Sequence, residues 1–320
     1  MCLLGPAALP AETHKSMIAI ACPGQGSQKP GFMSSWLEIP SYRQDIEIMS
    51  DEIGLDLIRH GTISDEDTIR DTAIAQPLIV AASIASANLL NLENVDAVVG
   101  HSVGEVAAGY VAGVINMTEA IRLVNIRGQA MARAAKTSEE TSMAAILGGE
   151  PKQIVAHLAK YNLTPANYNG SGQIVAAGLK SDFEAMQQDP PPMAKVIPLT
   201  VSGAFHTKFM EPAVAELQKH IEQIKPINPR TMLLSNQKGQ LVTTGQKYLD
   251  LLVGQVANPV RWDLCMKTMS KNGIGVVIEL SPAGTLAGLV KRGMELSNLI
   301  TLRDPIDLEQ ANYALSGARE

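Results

Sequence analysis

Two short apolar runs, MIAIAC (17–22) and DAVVG (96–100), each lead into a glycine-bearing turn. Continuous apolar runs of this length, bounded by turns, read as strands buried on both faces of a sheet. The first passes into PGQGSQ (23–28) and then into helical text that includes AQPLIVAASIASANLL (75–90). The second passes through HSVGE straight into EVAAGYVAGV, with no room for a long loop, and a long helix follows over 120–135. After Ala135 the pattern changes. KTSEETS (136–142) is a polar linker, followed by a strand at 143–148, a helix at 151–161, a strand at 173–178, a helix at 181–188 and a strand at 194–201. That βαβαβ order predicts a small α+β unit inserted in a larger α/β sheet. The larger unit resumes near Phe205, with a helix at 211–224 and strands at 231–236, 275–280 and 298–302. The text after Asp304 carries no clear period. The expected division is an N-terminal extension over 1–16, a large α/β part over 17–138 and 203–320, and a small part over 139–202.

Composition narrows the function classes. Of 320 residues, 46% are hydrophobic but only 4% aromatic, so aliphatic residues and methionine must fill the core. The net charge of −6 argues against nucleic acid as the main partner, because phosphate binding needs a basic face. Cys2, Cys22 and Cys265 form no C-x-x-C pair, which fits a reducing compartment. The six histidines show no metal-ligand spacing, so no metal site is expected. No apolar run reaches the ~18 residues of a spanning helix. The N-terminus lacks the basic start of a secretory signal, and Met17 is an alternative start. The expectation is a cytoplasmic protein without membrane contact, and a monomer.

GHSVG (100–104) matches G-x-S-x-G. In that motif two glycines allow close backbone approach, and a serine is lifted above the sheet edge where a strand turns sharply into a helix. The helix dipole and free backbone N–H groups there favour an oxyanion. The flanking strand and helix text make Ser102 the candidate nucleophile. A serine hydroxyl needs a base. His101 is its sequence neighbour and points elsewhere on such a turn. His206 follows a strand whose end gathers at the same sheet edge. From pattern alone the choice among histidines stays open.

With PGQGSQ, AQPL (75–78), GHSVGE (100–105), RG (127–128), GAFH (203–206), NPVRW (258–262) and PAGTLAGL (282–289) in this order, the chain resembles malonyl-CoA:acyl carrier protein transacylases over roughly 17–303. It also resembles the acyltransferase domains of fatty acid and polyketide synthases. The resemblance implies an α/β-hydrolase-like large subdomain with a parallel sheet and an inserted ferredoxin-like small one. It implies ping-pong transfer of malonyl from malonyl-CoA to the phosphopantetheine thiol of an acyl carrier protein, without a cofactor. By position it assigns Ser102 as nucleophile and His206 as base and acid. Gln255 would orient His206 through its backbone carbonyl, and Gln25 and Val103 would give backbone N–H groups to the oxyanion hole. Arg127 would hold the malonyl carboxylate by a bidentate fork. Phe205 would crowd an α-methyl branch. His101, Asn167 and Asn169 would contact substrate, although both asparagines also suit turns. Gly170-Ser171-Gly172 departs from the Ser-Pro common in the family.

Three other readings share parts of this pattern. A serine hydrolase or thioesterase would use the same Ser/His pair with a triad carboxylate between them in sequence, where only Asp182 and Asp189 of the insert stand out. A catalytically silent carrier-binding module would keep the fold alone. A stand-alone acyltransferase of polyketide synthesis would share the chemistry but serve another carrier. An acidic carrier would need local positive charge, for which Lys208, Lys267, Lys271, Lys291 and Arg292 are candidates.

Overall fold

The computed structural model describes residues 16–317 except 138 and 202. The N-terminal extension, but for its last residue, therefore lies outside the described residues, as do Cys2 and His14. Among the described residues ten strands follow one another: β1 Met17–Cys22, β2 Ala97–Gly100, β3 Thr141–Gly148, β4 Thr164–Gly170, β5 Gln173–Leu179, β6 Ala194–Leu199, β7 Met232–Ser235, β8 Gln240–Val242, β9 Ile274–Glu279 and β10 Asn298–Thr301.

Six of them make one sheet in the order β10–β9–β1–β2–β7–β8. Every neighbouring pair is parallel except the β7–β8 hairpin. β1 and β2 are almost wholly buried, as continuous apolar strands between helical layers must be. Their register sets Cys22 opposite Gly100, so the turns that follow them leave the same edge side by side. Function in open parallel sheets concentrates at such carboxyl ends.

β3 to β6 form a second, antiparallel sheet in the order β4–β5–β3–β6. With the helices Pro151–Lys160 and Lys180–Met186, the unit reads βαββαβ, a ferredoxin-like arrangement. The sequence pattern predicted three strands here, and the structure has four. The missed strand, β4 (TPANYNG), carries a proline and two asparagines, which depress strand propensity. It pairs with only one strand of its sheet, and a sheet edge is where a proline is tolerated. Its outer edge is tied to the larger unit instead. Tyr168 N–H donates to the Val260 carbonyl (2.9 Å), and Val260 N–H donates to that of Ala166 (2.9 Å). The NPVRW segment thus fastens the small sheet beside the carboxyl edge of the large one. Asn167 and Asn169 are strand residues, not turn formers.

Two helices complete the frame. Thr72–Ala87 is buried along nearly its whole length and is N-capped by Asp71, whose side chain accepts from Ala73 N–H (2.8 Å). Met117–Thr137 packs against it and carries Arg127. The helices Gly245–Gln255, Trp262–Lys271, Thr285–Gly293 and Asp307–Leu315 were not marked by the sequence pattern. The helix Thr285–Gly293 is anchored by Glu279 at the end of β9, whose carboxylate accepts from Leu286 and Ala287 N–H (2.9 and 2.8 Å). That places the PAGTLAGL segment against the cavity over Ser102 and His206.

Candidate active site

The turn after β2 requires both of its glycines. A β-carbon on Gly100 would lie 2.2 Å from Glu105 N, and one on Gly104 would lie 2.2 Å from the Cys22 carbonyl oxygen. Both obstacles are backbone and cannot move aside. Between them Ser102 is held at φ 53°, a left-handed conformation costly for a residue with a side chain. The elbow helix Gly104–Val111 begins at once.

His206 also adopts a left-handed backbone, at φ 61°. Its Nδ1–H donates to the Gln255 carbonyl oxygen (2.9 Å), which leaves Nε2 as the acceptor for the Ser102 hydroxyl at 2.7 Å. The carbonyl at the end of the helix Gly245–Gln255 occupies the position of a triad carboxylate. Asp189, the hydrolase candidate in the insert, is bound instead by Lys160 and Tyr161 (2.6 and 2.7 Å).

Arg127 is 2% exposed. Its Nη1 donates to Gln76 Oε1 (2.6 Å) and its Nη2 to Gln255 Oε1 (2.7 Å), while its buried Nε has no partner. By contrast, Arg133 on the same helix makes an exposed ion pair with Glu216 (2.6 Å). A cavity of about 330 Å³ opens over Ser102 and His206. Gln25, Gln76, His101, Asn167, Asn169 and Phe205 line it, and Gln76 stands between the cavity and the Arg127 guanidinium. His101 turns away from Ser102, as expected of its neighbour on the elbow. Its Nε2–H donates to Asn169 Oδ1 (3.0 Å), and its ring packs edge-on to Trp262. Among the described residues, neither the Gln25 nor the Val103 N–H has a partner within the chain. Val103 is fully buried in the core, so its backbone is rigidly placed.

A family model described as the acyl transferase domain matches residues 20–305. The malonyl CoA-acyl carrier protein transacylase of Mycobacterium bovis is 43% identical over 299 residues, 92% of this chain and 99% of that protein. The crystal structure of the Mycobacterium tuberculosis enzyme superposes with a TM-score of 0.89 at 42% identity, covering 92% of this chain and 99% of that one. The chain belongs to the malonyl CoA-acyl carrier protein transacylase family. The Escherichia coli transacylase is more distant, at 29% identity over 91% of this chain and 97% of its own. A malonyl-transacylase solved in complex with a type II polyketide-synthase acyl-carrier protein has a TM-score of 0.85 at 30% identity, covering 92% of this chain and 99% of its own. Among the described residues no helix is long and apolar enough to cross a membrane.

The electrostatics of this acyltransferase follow from burial. His206 is pulled down to about 3, first by loss of solvent and then by the positive charge of Arg127, with the Gln255 carbonyl opposing. Its imidazole is therefore neutral in the free enzyme throughout the neutral range. Burial also lowers Arg127 to about 10, with Glu105 opposing, which leaves it a cation at pH 7. The native His206 binds its proton far below the 6.5 of an unfolded chain. Its contribution to stability is thus present above pH 6.5 and is lost as pH falls from there towards 3. A His206→Gln variant lacks this loss. The stability gap between wild type and variant should shift in the variant's favour when thermal melts are moved from neutral pH to mildly acidic buffer. A gap that does not move with pH would contradict a buried neutral imidazole.

Three site residues carried no role in the sequence reading. Gln76 and Glu105 sit inside quoted motifs, AQPL and GHSVGE, but the motif text does not show what they touch. Asn236 directly follows β7, and its place beside Ser102 depends on β7 lying next to β2, which local pattern does not reveal.

Proposed function

We propose that the enzyme moves a malonyl group from malonyl-CoA to the phosphopantetheine thiol of an acyl carrier protein, in fatty acid biosynthesis, through a malonyl ester of Ser102. The observation that carries this reading is one hydrogen-bonded relay from the Ser102 hydroxyl through His206 to Gln255, whose side chain also holds Arg127. In the first half-reaction Ser102 Oγ attacks the thioester carbonyl, and His206 Nε2 takes its proton. The unpartnered N–H groups of Gln25 and Val103 receive the oxyanion. The C–S bond then breaks, and coenzyme A leaves with the proton from His206. In the second half, the carrier thiol gives its proton to His206 and attacks the ester, and Ser102 leaves reprotonated. No step calls for a metal or redox cofactor.

Arg127 serves selection. Its guanidinium is held by two neutral amide oxygens, which a malonyl carboxylate can outcompete by a charged bidentate contact. The Gln76 amide nitrogen has only a weak thioether partner, Met131 Sδ at 3.5 Å, so Gln76 gives way at little cost. The bound carboxylate also offsets a charge that depresses His206, so the correct substrate strengthens its own base. Phe205, buried against the cavity, crowds an α-methyl group. His101, Asn167 and Asn169 contact the acyl and pantetheine portions.

The small unit, 139–202, covers the site opened by the large part. Lys267 and Lys271 on one helix, with Lys291 and Arg292 on its neighbour, are exposed, and Arg292 reaches the cavity rim. Together with Lys208 they would steer an acidic carrier, and the docking rate should fall with salt. The protein acts in the cytoplasm as a monomer, without nucleic acid.

Intact-mass spectrometry tests the reaction. Incubation with malonyl-CoA should add one malonyl group to the enzyme, and holo-carrier protein should then remove it and appear malonylated. Release of free malonate with no carrier labelling would make the protein a hydrolase. Methylmalonyl-CoA in the same assay should load poorly, and equal loading would remove Phe205 from the selection.

A further inference from the structure

Glu105 is the second residue of the elbow helix and is 1% exposed, so its carboxylate does not serve as a solvated helix-start charge. Oε1 accepts from Asn236 N–H (2.8 Å), and Oε2 accepts from Gln255 Nε2 in a very close contact. Both partners reach on to the nucleophile. Asn236 Oδ1 accepts from Ser102 N–H (2.8 Å), and its Nδ2 donates to the Gly100 carbonyl (2.7 Å). Gln255 Nε2 donates to the Ser102 carbonyl (3.0 Å). The two backbone groups of Ser102 are therefore gripped by two side chains that also touch each other, Gln255 Nε2 donating to Asn236 Oδ1 (3.3 Å), and one buried carboxylate joins the two grips. A left-handed serine persists only where its surroundings over-determine it.

We propose that Glu105 is a positioning residue for the acyl transfer: its carboxylate locks Asn236 and Gln255 into a clamp on the Ser102 backbone and fixes the Gln255 amide with its oxygen towards Arg127. This rests on Ser102 being the nucleophile. Burial pushes the Glu105 carboxyl up to about 7, opposed by its hydrogen bonds and by the Arg127 charge, but both of its partners here are donors, and only the ionised form accepts at both oxygens. A neutral amide in its place offers one acceptor and one donor. In Glu105→Gln the new NH2 must face either Gln255 Nε2 or Asn236 N–H. Rotating the Gln255 amide to relieve the first clash turns its oxygen onto the Ser102 carbonyl and its NH2 onto Arg127 Nη2. Every arrangement leaves a repulsive pair touching the nucleophile or the arginine.

The test compares wild type and Glu105→Gln as folded full-length proteins, with active sites counted from the burst of coenzyme A released. Misplacement of a reacting group by about 1 Å costs on the order of 100-fold, so kcat and kcat/KM for malonyl-CoA should fall together by that factor while KM stays put. A purely structural role would lower the count of active sites and leave the rate per site unchanged. A second variant, Glu105→Gln with Gln255→Glu, restores donor–acceptor pairing between the two positions and with Arg127, yet sets an oxygen against the Ser102 carbonyl. It should recover melting temperature without recovering kcat. A wild-type rate per site in either variant overturns the proposal. Failure of both variants to fold would make Glu105 a folding residue and overturn it equally. If wild type itself forms no malonyl-serine, the proposed function fails instead, which the same mass measurement shows.

Discussion

Ser102→Ala should bind malonyl-CoA, form no malonyl adduct and lose turnover by on the order of 10⁵-fold or more. The geometry explains the size. The hydroxyl is the only polar group on the side chain of the elbow residue, and it lies 2.7 Å from the buried His206 Nε2. Alanine keeps the backbone course through φ 53° at no greater steric cost than serine, so the folded state should survive. Cys22 and Cys265 offer no substitute nucleophile. Both are fully buried, and burial drives their thiols far above the usual range, so neither presents a thiolate at neutral pH. His206→Ala should cost about as much as Ser102→Ala. The double variant should be no worse than either single one, because the two groups act as one unit and either loss disables both. Free-energy losses that simply add in the double variant, or an adduct that persists on Ser102→Ala, would show that another nucleophile carries the chemistry.

Much of this site was legible along the chain, and the boundary of legibility has a physical cause. β1 and β2 announce themselves because strands buried on both faces must be apolar throughout, and the elbow because only glycine fits at positions 100 and 104. His206 was suggested by its place after a strand, but only the resemblance singled it out. Arg127 is indistinguishable from Arg122 or Arg133 by helical spacing. What sets it apart is burial against the helix Thr72–Ala87, a tertiary property. β4 was invisible because its pattern is set by partners outside its own segment: β5 on one edge and Val260 on the other. The clamp of Glu105, Asn236 and Gln255 brings together three residues separated by up to 150 positions. No window along the sequence contains it, and it exists only because β7 is laid beside β2. Local text reported the groups proposed to do the chemistry, and sheet order supplied the groups that hold them.

Arg127→Ala should collapse the preference for malonyl over acetyl. In the wild type, an acetyl thioester leaves a buried cation facing amide oxygens only, while malonyl supplies a carboxylate. Removing one partner of a buried charged contact costs about 2–5 kcal/mol, which corresponds to roughly 30-fold to several thousand-fold in kcat/KM for malonyl-CoA. Acetyl-CoA makes no such contact and should lose little. A second consequence separates this from a general loss of activity. The Arg127 charge is the second cause, after burial, of the low proton affinity of His206. Without it the imidazole binds its proton more readily, and its titration moves up from about 3 towards the ordinary histidine range. A base that becomes protonated at mildly acidic pH is inactive there. Acetyl loading by the variant should therefore fall as the buffer is acidified, over a range where wild-type acetyl loading stays flat. Arg127→Lys restores the charge but not the planar fork, so it should recover the flat profile and only part of the malonyl preference. The measurement is the rate of acyl-enzyme formation from each thioester across pH. An unchanged malonyl-to-acetyl ratio in Arg127→Ala would place the selecting group elsewhere in the cavity.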